Sequence, residues 1–236
     1  MDKTGFAIPI LPGKEELATT SVSQEFRRRM PEYEQSRANA GLTMERAFLQ
    51  KSPDGSNLIV IYGESEGSFE DVRRAFATSG SDFDEWFLRV NQEVSGIDFR
   101  QPGPGGAPEH IASWEAPSGA RGKGLAFAAP LQTGKTDAGR AWAKEAFENR
   151  KGELTESRLA LGNTREEVFV NQTPQGDVAV VYIEGEDPVR ANGEFAASNA
   201  PYDRWFKDGL KEIFPPFIDF DQPVPTNETL WDWSRS

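Results

Sequence analysis

A β-hairpin that occurs twice in the sequence constrains the fold more than any other feature. Residues 43–62 contain two runs rich in β-branched and apolar residues, separated by a Pro-Asp-Gly turn at 53–55. Such a turn between two β-rich runs is a strong hairpin signal. Residues 164–182 repeat the pattern, and each copy leads into an aromatic and acidic segment, at 83–87 and at 202–206. The chain is therefore interpreted as a tandem duplication.

The duplication covers nearly all of the 236 residues. It predicts a first repeat at 1–117, a small and flexible linker at 118–124, and a second repeat at 125–236. Corresponding residues lie about 120 positions apart. They include Phe26 and Phe147, Arg37 and Arg158, Glu45 and Glu166, Asp84 and Asp203, and Trp114 and Trp233.

Hydrophobic periodicity gives each repeat the order β-α-β-β-α-β. In the first repeat the helical pattern runs from residue 14 to 40, with a break expected at Pro31, and a last strand is expected at 109–115. This order is typical of the ferredoxin-like plan, in which one antiparallel four-stranded sheet carries helices on a single face. The predicted fold class is α+β, with two ferredoxin-like repeats.

The third strand of each repeat is apolar on both of its faces. In the first repeat Val60 and Tyr62 lie on one side and Ile59 and Ile61 on the other. An antiparallel sheet with one wet face would alternate apolar and polar residues instead. We therefore expect the two sheets to pack face to face, as an intrachain pseudo-dimeric α+β barrel. A homodimer in which each half pairs with another chain is the alternative.

Three segments carry a resemblance to a known group: the strand at 45–50, the strand at 58–62 and the helix at 83–87. Together with the element order they resemble the dimeric α+β barrel superfamily, and more narrowly its uncharacterised bacterial members, here with two units fused. The resemblance implies a shared fold. It narrows function little, because the superfamily includes cofactor-free monooxygenases, haem-degrading enzymes, isomerases, chlorite dismutases and ligand-binding regulatory domains.

Composition excludes several classes of function. The formal charge is −12, which repels nucleic acid and anionic lipid, so neither is expected as a partner. The chain has no cysteine, which excludes thiol catalysis and cysteine-ligated zinc. Neither a signal pattern nor a long apolar run is present, so a soluble cytoplasmic protein is predicted. No cofactor motif occurs, and no cofactor or metal is expected.

His110 is the only histidine and the one candidate catalytic residue. Histidine titrates near neutral pH, so His110 could act as a general base or as a haem ligand. An ordinary surface histidine is the alternative. Its counterpart in the second repeat is Thr229, so a catalytic role would break the internal symmetry.

Six residues are candidates for ligand binding. On the second strand of each repeat, large aromatic and polar residues share the face that is expected to line the barrel. Arg46 and Glu167 on this face are hypothesised to form an ion pair, with two unrelated solvated charges as the alternative. The hydroxyls of the tyrosines would orient a ligand, or would serve the core alone. The six are Arg46, Phe48, Tyr62, Glu167, Phe169 and Tyr182.

Two functions remain open on this evidence. The first is a barrel that binds a small organic ligand, or one whose interior is filled by side chains. The second is a cofactor-independent small-molecule enzyme, similar to a monooxygenase or an isomerase. The sequence offers no nucleophile–base pair or metal cluster, which favours the first.

Overall fold

The protein folds into two compact units. The computed structural model describes residues 1–52, 55–103, 105–224 and 227–235. Unit 1 comprises Met1–Pro108 together with Asn227–Ser236, and unit 2 comprises Glu109–Thr226. Each unit is an α+β structure with one four-stranded antiparallel sheet.

Unit 1 is built from four strands and four helices in its described part. The strands are β1 (Asp2–Pro9), β2 (Leu42–Gln50), β3 (Leu58–Ser65) and β8 (Glu228–Ser234), and the helices are α1 (Val22–Arg28), α2 (Met30–Asn39), α3 (Phe69–Thr78) and α4 (Asp82–Ser95). A π-helical turn, Leu17–Ser21, leads into α1. The sheet order is β1-β3-β2-β8. Antiparallel pairing of β2 with β3 confirms the first hairpin, although Pro53 and Asp54 of its predicted turn lie outside the described residues.

Unit 2 has the same composition of elements. Its strands are β4 (Glu109–Glu115), β5 (Lys123–Pro130), β6 (Asn163–Asn171) and β7 (Val178–Gly185), and its helices are α5 (Thr136–Lys144), α6 (Lys151–Ala160), α7 (Pro188–Ala197) and α8 (Pro201–Lys211). A π-helical turn, Glu145–Asn149, precedes α6. The sheet order is β4-β6-β7-β5, so β6 and β7 form the second predicted hairpin.

The last strand of each predicted repeat belongs to the other sheet, which corrects the sequence analysis. The strand at 109–115 was expected to complete the first sheet, but as β4 it pairs with β6. The C-terminal strand β8 pairs instead with β2 of unit 1. Sequence patterns locate a strand but not its neighbour, because strand pairing is a long-range choice. The compact units therefore have different bounds from the predicted segments 1–117, 118–124 and 125–236.

Local sequence signals explain where the helices of unit 1 begin and end. The break between α1 and α2 falls at Arg29, and Pro31 lies in the first turn of α2, where its missing N–H is tolerated. Ser68 and Asp71 form a capping box at the start of α3. The chain leaves α4 through Gly96 at φ 77°, a left-handed conformation that glycine adopts without strain.

Each sheet buries one face against its own helices. In unit 1, Leu49 and Ile59 of the sheet pack with Val90 and Val94 of α4. On the opposite face of β3, Val60 and Tyr62 are also fully buried. The burial of both faces agrees with the two-sided apolar pattern of this strand. In the part of the chain that the structure describes, no helix is long and apolar enough to cross a membrane.

We predict that Trp231 of β8 is a main source of stability for unit 1. Its ring lies 5.1 Å from those of Phe26 and Tyr33, and its indole N–H donates to the Tyr33 hydroxyl at 2.7 Å. Trp231→Ala should lower the free energy of unfolding of unit 1 by about 3–5 kcal/mol. Hydrogen exchange should show the loss of protection in β2.

Thr229→Ala is the control, because Thr229 lies on the same strand and is exposed. It should change stability by less than about 0.5 kcal/mol. If Trp231→Ala exposed the amides of β6 rather than those of β2, the observed assignment of β8 to the first sheet would be contradicted.

Candidate functional site

Unit 1 contains a pocket between the helix-covered face of its sheet and helices α3 and α4. Its empty volume is about 710 Å³, part of which is open to solvent. We call it the unit 1 pocket. The floor is a row of three residues on adjacent strands, because Thr4 pairs with Gly63 and Gly63 pairs with Glu45. Since Gly63 has no side chain, the middle of the row is open.

The walls of the unit 1 pocket are mainly aromatic. Five phenylalanines line it, from the sheet, from α3 and α4, and from the segment after α4: Phe6, Phe69, Phe76, Phe87 and Phe99. The Phe6 ring contacts Phe69 edge-on at 5.5 Å and Phe99 at 6.2 Å. Leu42, Ile61 and Val72 add further apolar surface. An apolar enclosure with a few polar groups is the usual composition of a small-molecule site.

Unit 2 has larger side chains at the equivalent positions. In its sheet Leu125 pairs with Ile183, and Ile183 pairs with Glu166, in the register that Thr4, Gly63 and Glu45 show in unit 1. Leu125 is buried, with 2% of its surface exposed. The open floor of the unit 1 pocket is therefore a specific feature of unit 1 and not a consequence of the shared fold.

The carboxylate of Glu45 is fixed by two buried neighbours. It accepts hydrogen bonds from the Tyr33 hydroxyl at 2.6 Å and from Arg37 Nε at 2.8 Å. Burial, and then the charge of Glu45, raise the pKa of Tyr33 well above its usual range, so the hydroxyl stays protonated. Burial lowers the pKa of Arg37, but Glu45 and Tyr33 together more than offset this effect, and the pKa is raised. Arg37 therefore stays charged beside Glu45.

The other polar groups of the pocket differ in whether they have partners. Arg73 donates to Glu70 and to the carbonyl of Arg100, and Ser65 donates to the carbonyl of Gly67. The hydroxyl oxygen of Thr4 is buried and has no hydrogen-bond partner among the described residues. A buried hydroxyl without a partner costs free energy unless a ligand or a water satisfies it.

The structure brings three of the predicted site residues together in unit 2. His110 stacks on Phe169 with ring centroids 4.7 Å apart, and its Nε2 lies 2.8 Å from Glu167 Oε2. Glu167 is fully buried, whereas the His110 side chain is 32% exposed. Because β4 belongs to this sheet, His110 is placed beside Phe169. The sequence analysis singled out both His110 and Glu167 but did not pair them.

The two predicted tyrosines occupy equivalent places in the two units. Tyr62 donates to Glu64 at 2.7 Å, and Tyr182 donates to Glu184 at 2.7 Å. Both tyrosines are fully buried. The hydroxyl of each tyrosine thus has a carboxylate partner within its own unit. A role for either tyrosine in orienting a ligand stays a prediction.

The remaining predicted residues, Arg46 and Phe48, lie on the sheet face opposite to the unit 1 pocket. Arg46 Nε donates to Asp232 of β8 at 2.8 Å. Phe48 is 1% exposed. Within its own unit, Arg46 has Asp232 as a partner and Glu167 has His110. An ion pair between Arg46 and Glu167 stays a prediction.

Sequence reasoning missed the unit 1 pocket. The signal was present in the comparison of the two halves, where Gly63 aligns with Ile183 and Thr4 with Leu125. The prediction used only the positions at which the two halves have the same residue. It did not use positions at which one half has a much smaller side chain than the other. Among the described residues, no group of three or more His, Asp or Glu side chains is placed to hold a metal ion.

Comparison with known proteins identifies the fold. A "putative monooxygenase" of Fusobacterium nucleatum is similar over 99% of this chain and 94% of its own, with a TM-score of 0.55 and 7% identity. A "putative monooxygenase" of Lactobacillus acidophilus is similar over 99% of this chain and 97% of its own, with a TM-score of 0.55 and 7% identity. An anthrone oxidase-like protein is similar over 98% of this chain and 92% of its own, with a TM-score of 0.51 and 12% identity. No protein-family model and no curated protein matches the sequence.

At these identities the likeness shows the fold alone. The neighbours match this chain over nearly its whole length. The predicted fold class, α+β with two ferredoxin-like units in one chain, is confirmed. That the two units arose by duplication stays a prediction.

We predict opposite effects for alanine at two glycines of equivalent strands. A Cβ on Gly63 would lie 3.4 Å from the Thr4 methyl and 3.5 Å from the Met44 carbonyl, which is ordinary contact. Gly63→Ala should therefore raise the free energy of unfolding by about 0.4–1 kcal/mol. A Cβ on Gly185 would lie 2.6 Å from the Gly162 carbonyl, so Gly185→Ala should lower stability.

Thermal unfolding of the two variants beside the parent protein provides the measurement. Gly63 does not have a positive φ, so the comparison is not confounded by backbone strain. A clear loss of stability in Gly63→Ala would show that the floor of the pocket is closed rather than open.

Proposed function

We propose that the protein binds a small, largely apolar organic molecule in the unit 1 pocket. The observation that carries the proposal is the open position at Gly63 beneath five phenylalanines. Unit 2 has isoleucine at this position, so the opening is not required by the fold. A packed structural interior, the other possibility left by the sequence, gives no reason for this difference.

The chemistry of the pocket wall supports an aromatic or alicyclic ligand. Phenylalanine rings offer both flat faces and edges, and ring–ring contacts contribute about 0.5–1.5 kcal/mol beyond burial of area. The pocket is partly open to solvent, so a ligand can extend beyond the enclosed part.

Titration with 2-methoxynaphthalene, followed by calorimetry or ligand-observed NMR, tests the proposal. Wild-type protein should bind this probe. Gly63→Ile should weaken binding at least about tenfold, because the new side chain occupies the ligand's place as Ile183 does in unit 2. Thr4→Leu reproduces the other large residue of unit 2 and should act in the same direction.

Gly193→Leu is the matched control, because it adds a large side chain where a Cβ would meet nothing within 4 Å. It should leave binding unchanged. Unaltered binding by Gly63→Ile, at full retention of the fold, would contradict the proposal, as would the absence of binding to the wild-type protein.

A second function, cofactor-independent proton transfer, is favoured by the contact between His110 and Glu167. A carboxylate accepts hydrogen bonds, so Nε2 of His110 donates to Glu167 and Nδ1 is left as the basic nitrogen. A general base needs this arrangement, with a fixed tautomer and an accessible second nitrogen. An anthrone oxidase-like protein is among the structural neighbours, and anthrone is therefore chosen as the probe of this activity.

Anthrone is a suitable test substrate, because its acidic methylene can lose a proton to His110. The complete reaction consumes one O₂ per anthrone and yields anthraquinone and one water. His110→Phe preserves stacking on Phe169 and should lower the rate about 100-fold or more. Thr229→Ala, at the equivalent place in unit 1, should have no effect. A wild-type rate equal to that in buffer would remove this candidate.

A further inference from the structure

In the floor of the unit 1 pocket, two side chains that carry oxygen atoms flank Gly63. Glu45 and Thr4 lie on opposite sides of Gly63 in the same row of the sheet. Neighbouring strands are about 4.8 Å apart, so the two flanking backbones are separated by about 10 Å. A ligand group above Gly63 would therefore have a polar neighbour on each side.

Glu45 retains the capacity to accept another hydrogen bond. Its Oε2 takes the short bonds from Tyr33 and Arg37, whereas Oε1 accepts only one bond from the described residues, from Arg37 at 3.3 Å. A carboxylate has about four acceptor positions in total. Its side chain is also 17% exposed, so a ligand can reach it.

Thr4 adds a second unsatisfied group. Its hydroxyl oxygen is buried and lacks a partner in the described part of the chain. Its methyl group is the nearest atom to the place where a Cβ on Gly63 would stand, at 3.4 Å. A hydroxyl can both donate and accept, so Thr4 can serve a ligand oxygen in either sense.

The charges around the pocket favour a neutral ligand. The negative charge of Glu45 is balanced by Arg37, whose side chain is fully buried beside it. The other cation of the pocket, Arg73, is engaged by Glu70 at 2.8 Å. A carboxylate or an ammonium group on the ligand would therefore find no unpaired charge of opposite sign in the pocket. A charged ligand is disfavoured, because burying an ion without a partner is costly.

We propose that the pocket selects a neutral aromatic molecule with a hydroxyl group, which lies over Gly63 and donates a hydrogen bond to Glu45 Oε1. The rings lie among the phenylalanines, and Thr4 provides the second polar contact. This inference rests on the proposed function and adds the class of ligand to it.

The test compares probes of one shape and different polarity by calorimetry. 2-Naphthol should bind about tenfold more tightly than 2-methoxynaphthalene, which has the same rings but no donor, since a hydrogen bond to a charged acceptor is lost. 2-Naphthoate should bind more weakly than 2-naphthol. Equal binding of the first two probes, or tightest binding of 2-naphthoate, would overturn the inference.

Thr4→Val provides a variant that should fold, because it removes a hydroxyl without a partner. It should lower the preference for 2-naphthol over 2-methoxynaphthalene by about threefold. Thr164→Val is the matched control, since the Thr164 hydroxyl of unit 2 is likewise buried and without a partner in the described residues. An unchanged preference in Thr4→Val, or the same loss in Thr164→Val, would argue against a polar role for Thr4. Glu45 is not substituted, because its loss would leave Arg37 charged and buried.

The two proposals fail in different ways. If both naphthalene probes bind equally and Gly63→Ile still blocks them, the pocket binds ligands but does not select a hydroxyl, and only the present inference is lost. If neither probe binds the wild-type protein, the proposed function is lost as well.

Discussion

The carboxylate of Glu45, which is 17% exposed, lies at the centre of a hydrogen-bond network in unit 1. It holds Arg37 and Tyr33 of α2, and Tyr33 in turn accepts a hydrogen bond from Trp231 of β8. One side chain of β2 is thus connected to a helix and, through it, to the strand from the C-terminus. The same residue borders the unit 1 pocket, so the shape of the floor depends on this network. Breaking a buried pair by removing one partner costs about 3–5 kcal/mol.

Unit 2 has the same ion pair, but beside it the larger residues Leu125 and Ile183 stand in place of Thr4 and Gly63. Arg158 and Glu166 form the equivalent pair at 2.5 Å, and both are buried. The supporting ion pair is therefore common to the two units, while the row beside it differs. The ion pair is thus present in both units, whereas the small residue beside it is present in unit 1 alone. We therefore expect a substitution of Gly63 to leave the pair intact, and unit 2 is an internal reference for unit 1.

Much of the fold could be predicted from the sequence, because its signals are local. The Pro31 break and the two hairpins depend on neighbouring residues and lie close to where they were expected. The prediction that the last strand of each repeat completes its own sheet was wrong. The pairing of β8 with β2 and of β4 with β6 joins residues that are 50 or more positions apart. The site was harder to predict. A pocket formed by a missing side chain leaves no chemical motif, and the contact of His110 with Glu167 depended on the correct strand pairing.

The path of the chain has a consequence for how the protein is made. The sheet of unit 1 is completed by β8 (Glu228–Ser234), which is synthesised after the whole of unit 2. Domains usually fold in the order in which the ribosome releases them. Here the continuous segment Glu109–Thr226 holds all of unit 2, so the second unit can finish folding while the first still has an unpaired edge at β2. Until β8 is available, that edge of β2 presents unpaired backbone N–H and C=O groups, which can pair with another strand.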